Sequence, residues 1–454
     1  VPRKHRHKPK WQPERAVVGD FDRHGRAVVS AGEGGRPRPA HVDGALPGEL
    51  VELLRTEREG PIDGARTLEV IEASAQRVEA RCRHYGVCGG CSLMHLDVDA
   101  QIAFKQRVLL EDFERHGVRP ERVLEPLRGP SWAYRRRARL GAKLVPAKGK
   151  VLVGFREKDR RFIADLSGCE ILAGPASGPL AGQPGLIIDA LSQLIASLSI
   201  AARTPQIEVT VADDELALVL RVLDPPSDED LDKLRTFERD WQLRLYLQPG
   251  GLETIAPLAG DRDPLLRYSI PEFELEISFL PTDFVQVNAA INRAMISQAI
   301  ALLELEPSHR VLDLFCGLGN FSLPIARQAA EVVGIEGDAG LVERARANAA
   351  ANRLHNVSFV QRDLYRDVDV AAWSERGFDR VLLDPPRSGA AAIVESFAPI
   401  AAPRVVYVAC SPETLARDAA TLISRHGYKL LAAGVMDMFP HTAHVESIAV
   451  FARG

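Results

Sequence analysis

Hydrophobic and polar positions change rhythm along the chain. In the first 75 residues, short apolar or alternating runs, Ala16-Val17-Val18, Ala27-Val28-Val29, Glu49-Leu50-Val51-Glu52 and 68–71, are separated by Gly19, Gly25, Gly32, Gly34, Gly35, Gly44 and Gly48. Short strands with glycine turns predict a small β-barrel over 15–75, behind a basic tail at 1–14. Over 101–116, Phe104, Val108, Leu109 and Phe113 fall on one side of an amphipathic helix. Alternation at 207–211 and 216–222 makes the stretch from 127 to 283 read as mostly β, with a proline- and acid-containing break at 224–230. From 284 onward, strand-length apolar runs at 311–315, 331–336, 357–361, 380–384 and 404–409 alternate with helical patterns at 341–353 and 413–426. That rhythm predicts an α/β doubly wound parallel sheet. The final runs, 428–438 and 445–453, have no helix between them, which predicts an antiparallel last strand. The expected organisation is therefore multidomain: barrel 15–75, β-rich central domain 76–283, and α/β domain 284–454.

Composition adds bounds. A length of 454 residues allows two to four domains, and 46% hydrophobic residues can fill several cores. No apolar run reaches the ~18 residues a membrane helix needs, and residues 1–10 are basic and polar, so a cytoplasmic protein is expected. The net charge of −4 hides an asymmetry: 128–161 holds twelve Lys or Arg against Glu157 and Asp159. The tail adds Arg3, Lys4, Arg6, Lys8 and Lys10. Concentrated positive charge beside an acidic remainder is the footprint of a phosphate-backbone partner. In 134–140, read as a strand, alternate arginines share one face.

The candidate chemistry gathers at strand ends. Residues 310–321 form a strand, a glycine turn (Gly317, Gly319) and the start of a helix, where glycine permits close approach to a ligand. Glu336, Asp363 and Asp384 end the next three strands, the rim where such sheets bind ligands. A third glycine for a pyrophosphate is missing, because that position is Ser322. A nucleoside with a charged amino-acid arm, S-adenosylmethionine, fits better than NAD. Cys410 ends the fifth strand just before a helix, a position expected to lower a thiol's pKa. A thiolate adding to carbon 6 of a uracil makes carbon 5 nucleophilic. The adduct must then lose the carbon-5 proton to a general base, for which Glu446 is the candidate, with His441 and His444 as alternatives. Cys316 sits inside the cofactor turn and is a poor nucleophile candidate. In a cytosolic chain the remaining cysteines, Cys82, Cys88, Cys91 and Cys169, point to a metal.

These residues resemble a known family. Asp384-Pro385-Pro386-Arg387-Ser388-Gly389, Val408-Ala409-Cys410 and the run from Asp437 to Glu446 are similar to signatures of the RNA uracil-C5 methyltransferases. The glycine turn and Phe284-Val285-Gln286-Val287-Asn288 match as well. The resemblance implies Cys410 as nucleophile and Glu446 as base. It implies Gln286, Phe315, Asn320, Glu336, Asp363 and Asp384 as contacts to S-adenosyl-L-methionine. Cys82, Cys88, Cys91 and Cys169 resemble the iron–sulfur ligands of the bacterial 23S ribosomal RNA members. Four thiolates suit a [4Fe–4S] cluster or zinc, and the resemblance favours the cluster. The N-terminal barrel resembles the TRAM RNA-binding domain. The segment at about 93–126 is implied to pack on the catalytic domain. A monomer acting on a uridine flipped out of 23S ribosomal RNA follows, with Phe439 a candidate for filling the vacated stack. The alternatives are a transfer-RNA uracil-C5 methyltransferase and a non-catalytic RNA-binding iron–sulfur protein. An amino-group methyltransferase would favour Asn-Pro-Pro-aromatic where this chain has Asp384-Pro385-Pro386-Arg387.

Overall fold

The computed structural model describes residues 11–30, 38–59, 61–182, 185, 187–260, 263–366 and 376–453. The basic residues of 1–10 and most of the glycine-rich stretch 32–39 lie outside them. The chain forms two compact units, one running up to Phe104 and including His441–Ala443, the other Lys105–Pro440 with His444 onward. Helix α1 (Val98–Arg115) starts in the first and ends in the second.

The first unit is built on β1 (Glu14–Val17), β2 (Ala27–Val29), β3 (Ala40–Asp43), β4 (Leu50–Glu59) and β5 (Ile62–Glu72), in the order β1-β4-β5-β3-β2. Two of these strands are longer than their apolar runs suggested. β4 and β5 make an extended antiparallel hairpin whose register shifts three times, and such bulges sharpen curvature. Beyond β1 the chain returns to β2, with Gly19 N–H donating to Val28 C=O (2.8 Å) and Val28 N–H to Asp20 C=O (3.1 Å). The sheet thus curls back on itself around Val18, Val29, Val42, Val51 and Leu53.

In the second unit, β7 (Arg137–Val145), β8 (Lys150–Gly154), β9 (Gln206–Val211), β10 (Leu216–Arg221), β11 (Arg244–Gln248) and β12 (Ala256–Pro257) form a sheet ordered β12-β11-β10-β9-β7-β8. Helices α2 (Ile187–Ser197) and α3 (Asp228–Asp240) accompany it, which the β-rich reading had not anticipated. The break at 224–230 is the start of α3: Ser227 and Asp230 make a reciprocal capping box that satisfies the first N–H groups. The basic segment is also less available than its charge suggests. Arg136 is buried with its guanidinium 4.5 Å over the Tyr268 ring. Arg137 and Arg139 both pair with the buried Glu208 on β9. Part of the positive charge therefore serves the fold rather than a phosphate.

The largest sheet has eight strands among the described residues. β6 (Arg122–Val123), β15 (Arg310–Leu314), β16 (Glu331–Glu336), β17 (Val357–Gln361), β18 (Arg380–Leu383), β19 (Arg404–Ala409), β20 (Tyr428–Met436) and β21 (Glu446–Arg453) are ordered β17-β16-β15-β18-β19-β21-β20-β6. The first five are mutually parallel, and β21 is antiparallel to both neighbours. Strands buried on both faces read as continuous apolar runs; Val405, Val406 and Tyr407 on β19 are fully buried. Each such side chain contributes roughly 1.5–3 kcal/mol. A hairpin of β13 (Leu266–Ile270) and β14 (Leu275–Phe279) precedes α4 (Ala289–Leu303). Asn288 caps α4 and Asp338 caps α6 (Ala339–Ala351) through side-chain oxygens. Among the described residues, the remaining α-helices are α5 (Ser322–Ala326), α7 (Ala391–Glu395) and α8 (Pro412–His426). Among the described residues, no helix is long and apolar enough to cross a membrane.

Candidate active site

The glycine turn leaves β15 through backbone conformations that fit few residues. Phe315 adopts φ 65°, Gly317 φ 53° and Gly319 φ 89°. Left-handed geometry at a bulky non-glycine residue such as Phe315 costs on the order of 1–3 kcal/mol and is typical of ligand-binding turns. A Cβ at Gly319 would stand 3.0 Å from Leu323 Cγ, whereas at Gly317 it would meet nothing within 4 Å, so the turn is open to a ligand there. Glu336 is oriented by backbone: its Oε2 accepts Gly317 N–H (3.1 Å) and its Oε1 accepts Gly337 N–H (2.7 Å). Beneath the turn, Asp313 is buried, takes the Ser322 hydroxyl on Oδ2, and has no hydrogen-bond partner on Oδ1. Burial, with repulsion from Asp384 and Glu336, pushes its pKa up to about 7.

An aromatic pair stands at the rim. The Phe315 and Tyr365 rings lie 5.8 Å apart, and the Tyr365 hydroxyl meets Ser388 Oγ (2.8 Å) and Gly389 C=O (3.2 Å). Asp363 is exposed and accepts the Tyr365 N–H (3.0 Å). Asn320 is differently engaged. Its side chain exchanges two hydrogen bonds with Asn292 (2.9 and 3.0 Å) and accepts the Tyr268 hydroxyl (2.9 Å). Gln286 is half-buried, and its carbonyl accepts Arg136 Nε (2.7 Å). Open backbone at Gly317, an orphaned buried carboxyl oxygen and two rings at the strand ends fit a nucleoside with a cationic arm.

Sheet register brings the reactive groups together. The last pair of β19 and β21 is Ala409↔Ser447, so the residues just beyond it, Cys410 and Glu446, oppose one another. Directly opposed side chains in an antiparallel pair share a face. Asp384 leaves β18, the parallel neighbour of β19, and its N–H donates to Leu314 C=O (3.3 Å), which ties it to the glycine-turn strand. Cys410 is partly exposed.

The electrostatics reverse one expectation. Burial, with Glu446 and Asp384 close by, pushes the Cys410 thiol up to about 12, against a weaker downward pull from Arg387. The helix end was expected to favour thiolate. Cys410, however, precedes Ser411, the N-cap of α8, and a helix terminus acts strongly only within its first turn. Burial pushes Glu446 up to about 8, with Asp384 adding to it and Arg387 and Lys105 opposing. Desolvation raises Asp384 to about 7. His444 accepts from Arg387 (3.4 Å); desolvation and the cations Arg387, Lys105 and Arg135 lower it to about 4, so it is neutral at pH 7.

A buried network holds the Asp384 loop. Asp418 on α8 accepts the Tyr407 hydroxyl (2.7 Å) and Ala390 N–H (2.8 Å), and Arg417 donates to Ser388 C=O (3.0 Å). Gly389, at φ 74°, passes so close that a Cβ would lie 2.5 Å from Arg417 Nη2 and 2.7 Å from Asp418 Oδ2. Sequence reasoning missed this network, as it missed Lys105, Asp313 and Tyr365. A lysine on the apolar face of an amphipathic helix was a readable signal for Lys105; partners separated this far in sequence left none for the others.

The cysteine loop lies in the first unit and Cys169 in the second. None of the six cysteines forms a disulfide. Cys88 Sγ accepts Gly90 N–H at 3.4 Å. The donor chemistry suits a thiolate-held metal, although among the described residues no three His, Cys, Asp or Glu are grouped closely enough to hold an ion.

The family model described as tRNA (Uracil-5-)-methyltransferase matches residues 268–453. A curated protein of Alkalilimnicola ehrlichii, named 23S rRNA (uracil(1939)-C(5))-methyltransferase RlmD, is 50% identical over 452 residues, covering 99% of each chain. One of the same name from Xanthomonas axonopodis pv. citri is 48% identical over 443 residues, covering 97% of each. Among solved structures, the Pyrococcus abyssi tRNA (uracil-54, C5)-methyltransferase in complex with S-adenosyl-L-homocysteine superposes with a TM-score of 0.73 at 22% identity. The match covers 96% of this chain and 99% of that one, and at this identity it speaks for the fold.

Proposed function

The chain belongs to the family of the 23S rRNA (uracil-C5)-methyltransferases, and from that premise we propose that it methylates carbon 5 of one uridine of 23S ribosomal RNA through a covalent adduct on Cys410. The target is the uridine that the relatives' names number 1939. The observation that carries the mechanism is the register setting Cys410 against Glu446 at the strand ends, beside Asp384.

S-adenosyl-L-methionine supplies an electrophilic methyl group on a sulfonium. The turn from Phe315 to Asn320, Glu336, Asp363, Asp384 and Gln286 are the residues that would hold it. Cys410 Sγ bonds to carbon 6, which makes carbon 5 nucleophilic. The thiol is weakly acidic, so its proton must leave as that bond forms. Asp384, with a proton affinity near neutrality, is the acceptor at hand, which leaves Glu446 for the later step. After methylation, Glu446 takes the proton from carbon 5, the sulfur leaves carbon 6, and the ring regains its double bond. Arg387 and the Phe439–His444 pair, whose rings are 5.3 Å apart, border the place a flipped base would enter. The test is mass mapping of 5-methyluridine in 23S ribosomal RNA from cells lacking the protein. Loss at one uridine, restored by the purified protein with labelled methyl donor, is expected; full methylation without it refutes the assignment.

The N-terminal curled sheet is read as a TRAM-like RNA-binding module, and the protein as a cytoplasmic monomer. Cys82, Cys88, Cys91 and Cys169 are read as ligands of a [4Fe–4S] cluster, supported by thiolate chemistry and the spacing of the first three. An anaerobic preparation is expected to be brown, with broad absorbance around 400 nm, roughly where iron–thiolate charge transfer falls. A Cys88→Ser variant should lose it. A colourless, zinc-loaded wild type would overturn the cluster.

A further inference from the structure

Helix α1 carries Lys105 into the interior of the second unit, where it is fully buried. Its Nζ donates to Asp437 Oδ1 at 2.6 Å and to Phe439 C=O at 2.9 Å. Burying an ammonium group is costly, and an apolar pair of the same volume would often serve stability as well. Desolvation does lower the Lys105 pKa, with Asp437 holding it up. A buried charge retained at such a cost points to a task, and its surroundings indicate which.

Asp437 follows directly on β20, whose last residue, Met436, registers against Glu446. Its N–H donates to Leu127 C=O (2.9 Å). Phe439 meets His444, two residues before Glu446, ring to ring. Lys105 therefore ties down the turn that leads into Glu446. It is also one of the cations acting on that carboxyl. The charged and titratable groups around Glu446 are Cys410 at the end of β19, Asp384 and Arg387 in the loop after β18, Lys105 on α1, and His444 and Asp437 in its own turn. Asp384 opposes ionisation of Glu446; Arg387 and Lys105 favour it. Arg387, the larger of these two influences, is exposed, so water and salt screen it, whereas Lys105 is itself buried.

We propose that Lys105 is a positioning residue for the proton-abstraction step, placing a buried positive charge beside Glu446 and fixing the turn that aims it. This rests on the reading of Glu446 as the base. Lys105 needs no contact with substrate for this role. Removing it should slow release of the methylated RNA from Cys410 more than formation of the adduct.

Two variants test this. Lys105→Met alone strands Asp437 as a buried unpaired charge and is expected to fold poorly. Lys105→Met with Asp437→Leu replaces the ion pair by apolar groups and is the variant to measure, with its melting temperature checked. At pH 7 its kcat should fall about 10- to 100-fold, a fraction of what direct loss of a general base removes. The KM for S-adenosylmethionine should stay within about twofold, and a methylated covalent protein–RNA adduct should accumulate on denaturing gels. Because the same variant also removes the opposing charge of Asp437, the pH dependence of turnover should move alkaline by less than about one pH unit, and raising the pH should release the adduct. A purely structural clamp would lower all rates together, with no adduct and no movement of the profile; that result overturns the proposal. Glu446→Gln is run in parallel. If it traps adduct while the double variant does not, Lys105 alone is misassigned. If it traps none, Glu446 is not the base, and the Lys105 proposal falls with that reading.

Discussion

Cys410→Ala is expected to abolish turnover, by a factor on the order of 10⁴ or more, the scale seen when a covalent nucleophile is removed. The reason is chemical. Without sulfur addition at carbon 6, carbon 5 of uracil has too little electron density to attack a methyl group, and no residue beside Cys410 can substitute for it. Cys316 is buried, and desolvation with the neighbouring Asp313 and Glu336 drives its thiol well above the ordinary range. Binding of S-adenosylmethionine by the alanine variant, followed by calorimetry, should remain within a few-fold of wild type, because Cys410 lies beyond the glycine turn. A turnover rate near wild type would refute covalent catalysis.

Glu446→Gln should have the second-largest effect, lowering kcat by about 10²–10⁴, the usual contribution of a general base. Its distinguishing result is a species that wild type does not accumulate: a denaturation-stable protein–RNA adduct already carrying the methyl group, visible by mass spectrometry. The pH dependence follows from the direction of the shift. Burial holds Glu446 protonated below about 8, so its basic form appears as the pH rises through that value. Product release should therefore speed up with rising pH across this range in wild type and become insensitive to it in the glutamine variant. A wild-type profile that falls between pH 7 and 9 would mean that a different group removes the proton.

Both experiments depend on groups that the sequence offers as candidates and whose acidity it does not give. Cys410 and Glu446 stand out as polar residues at the ends of apolar strands within dense motifs. Their partnership depends on strand order. β21 inserts between β19 and β20, antiparallel to both, and this insertion sets Cys410 against Glu446. The thiol's acidity was misjudged from the helix that follows it, because a local rule about helix ends was outweighed by two carboxyl groups and burial delivered from other strands. Helix α3 was missed for the opposite reason. The Pro-Pro-Ser-Asp-Glu-Asp run at its start was taken as a break, although Ser227 and Asp230 are a local capping signal.

By itself the sequence determined the alternation of strands and helices in the catalytic half, the glycine turn, and the nucleophile and base candidates. These follow from local patterning, periodicity and short motifs, all written within a few residues of one another. The tertiary structure alone decided which carboxyl groups crowd Cys410, that Arg137 and Arg139 spend charge on Glu208, and that Lys105 lies buried against Asp437. Those outcomes depend on desolvation and on charges meeting across elements far apart in the chain. Neither quantity exists until the sheets have closed and water has been excluded.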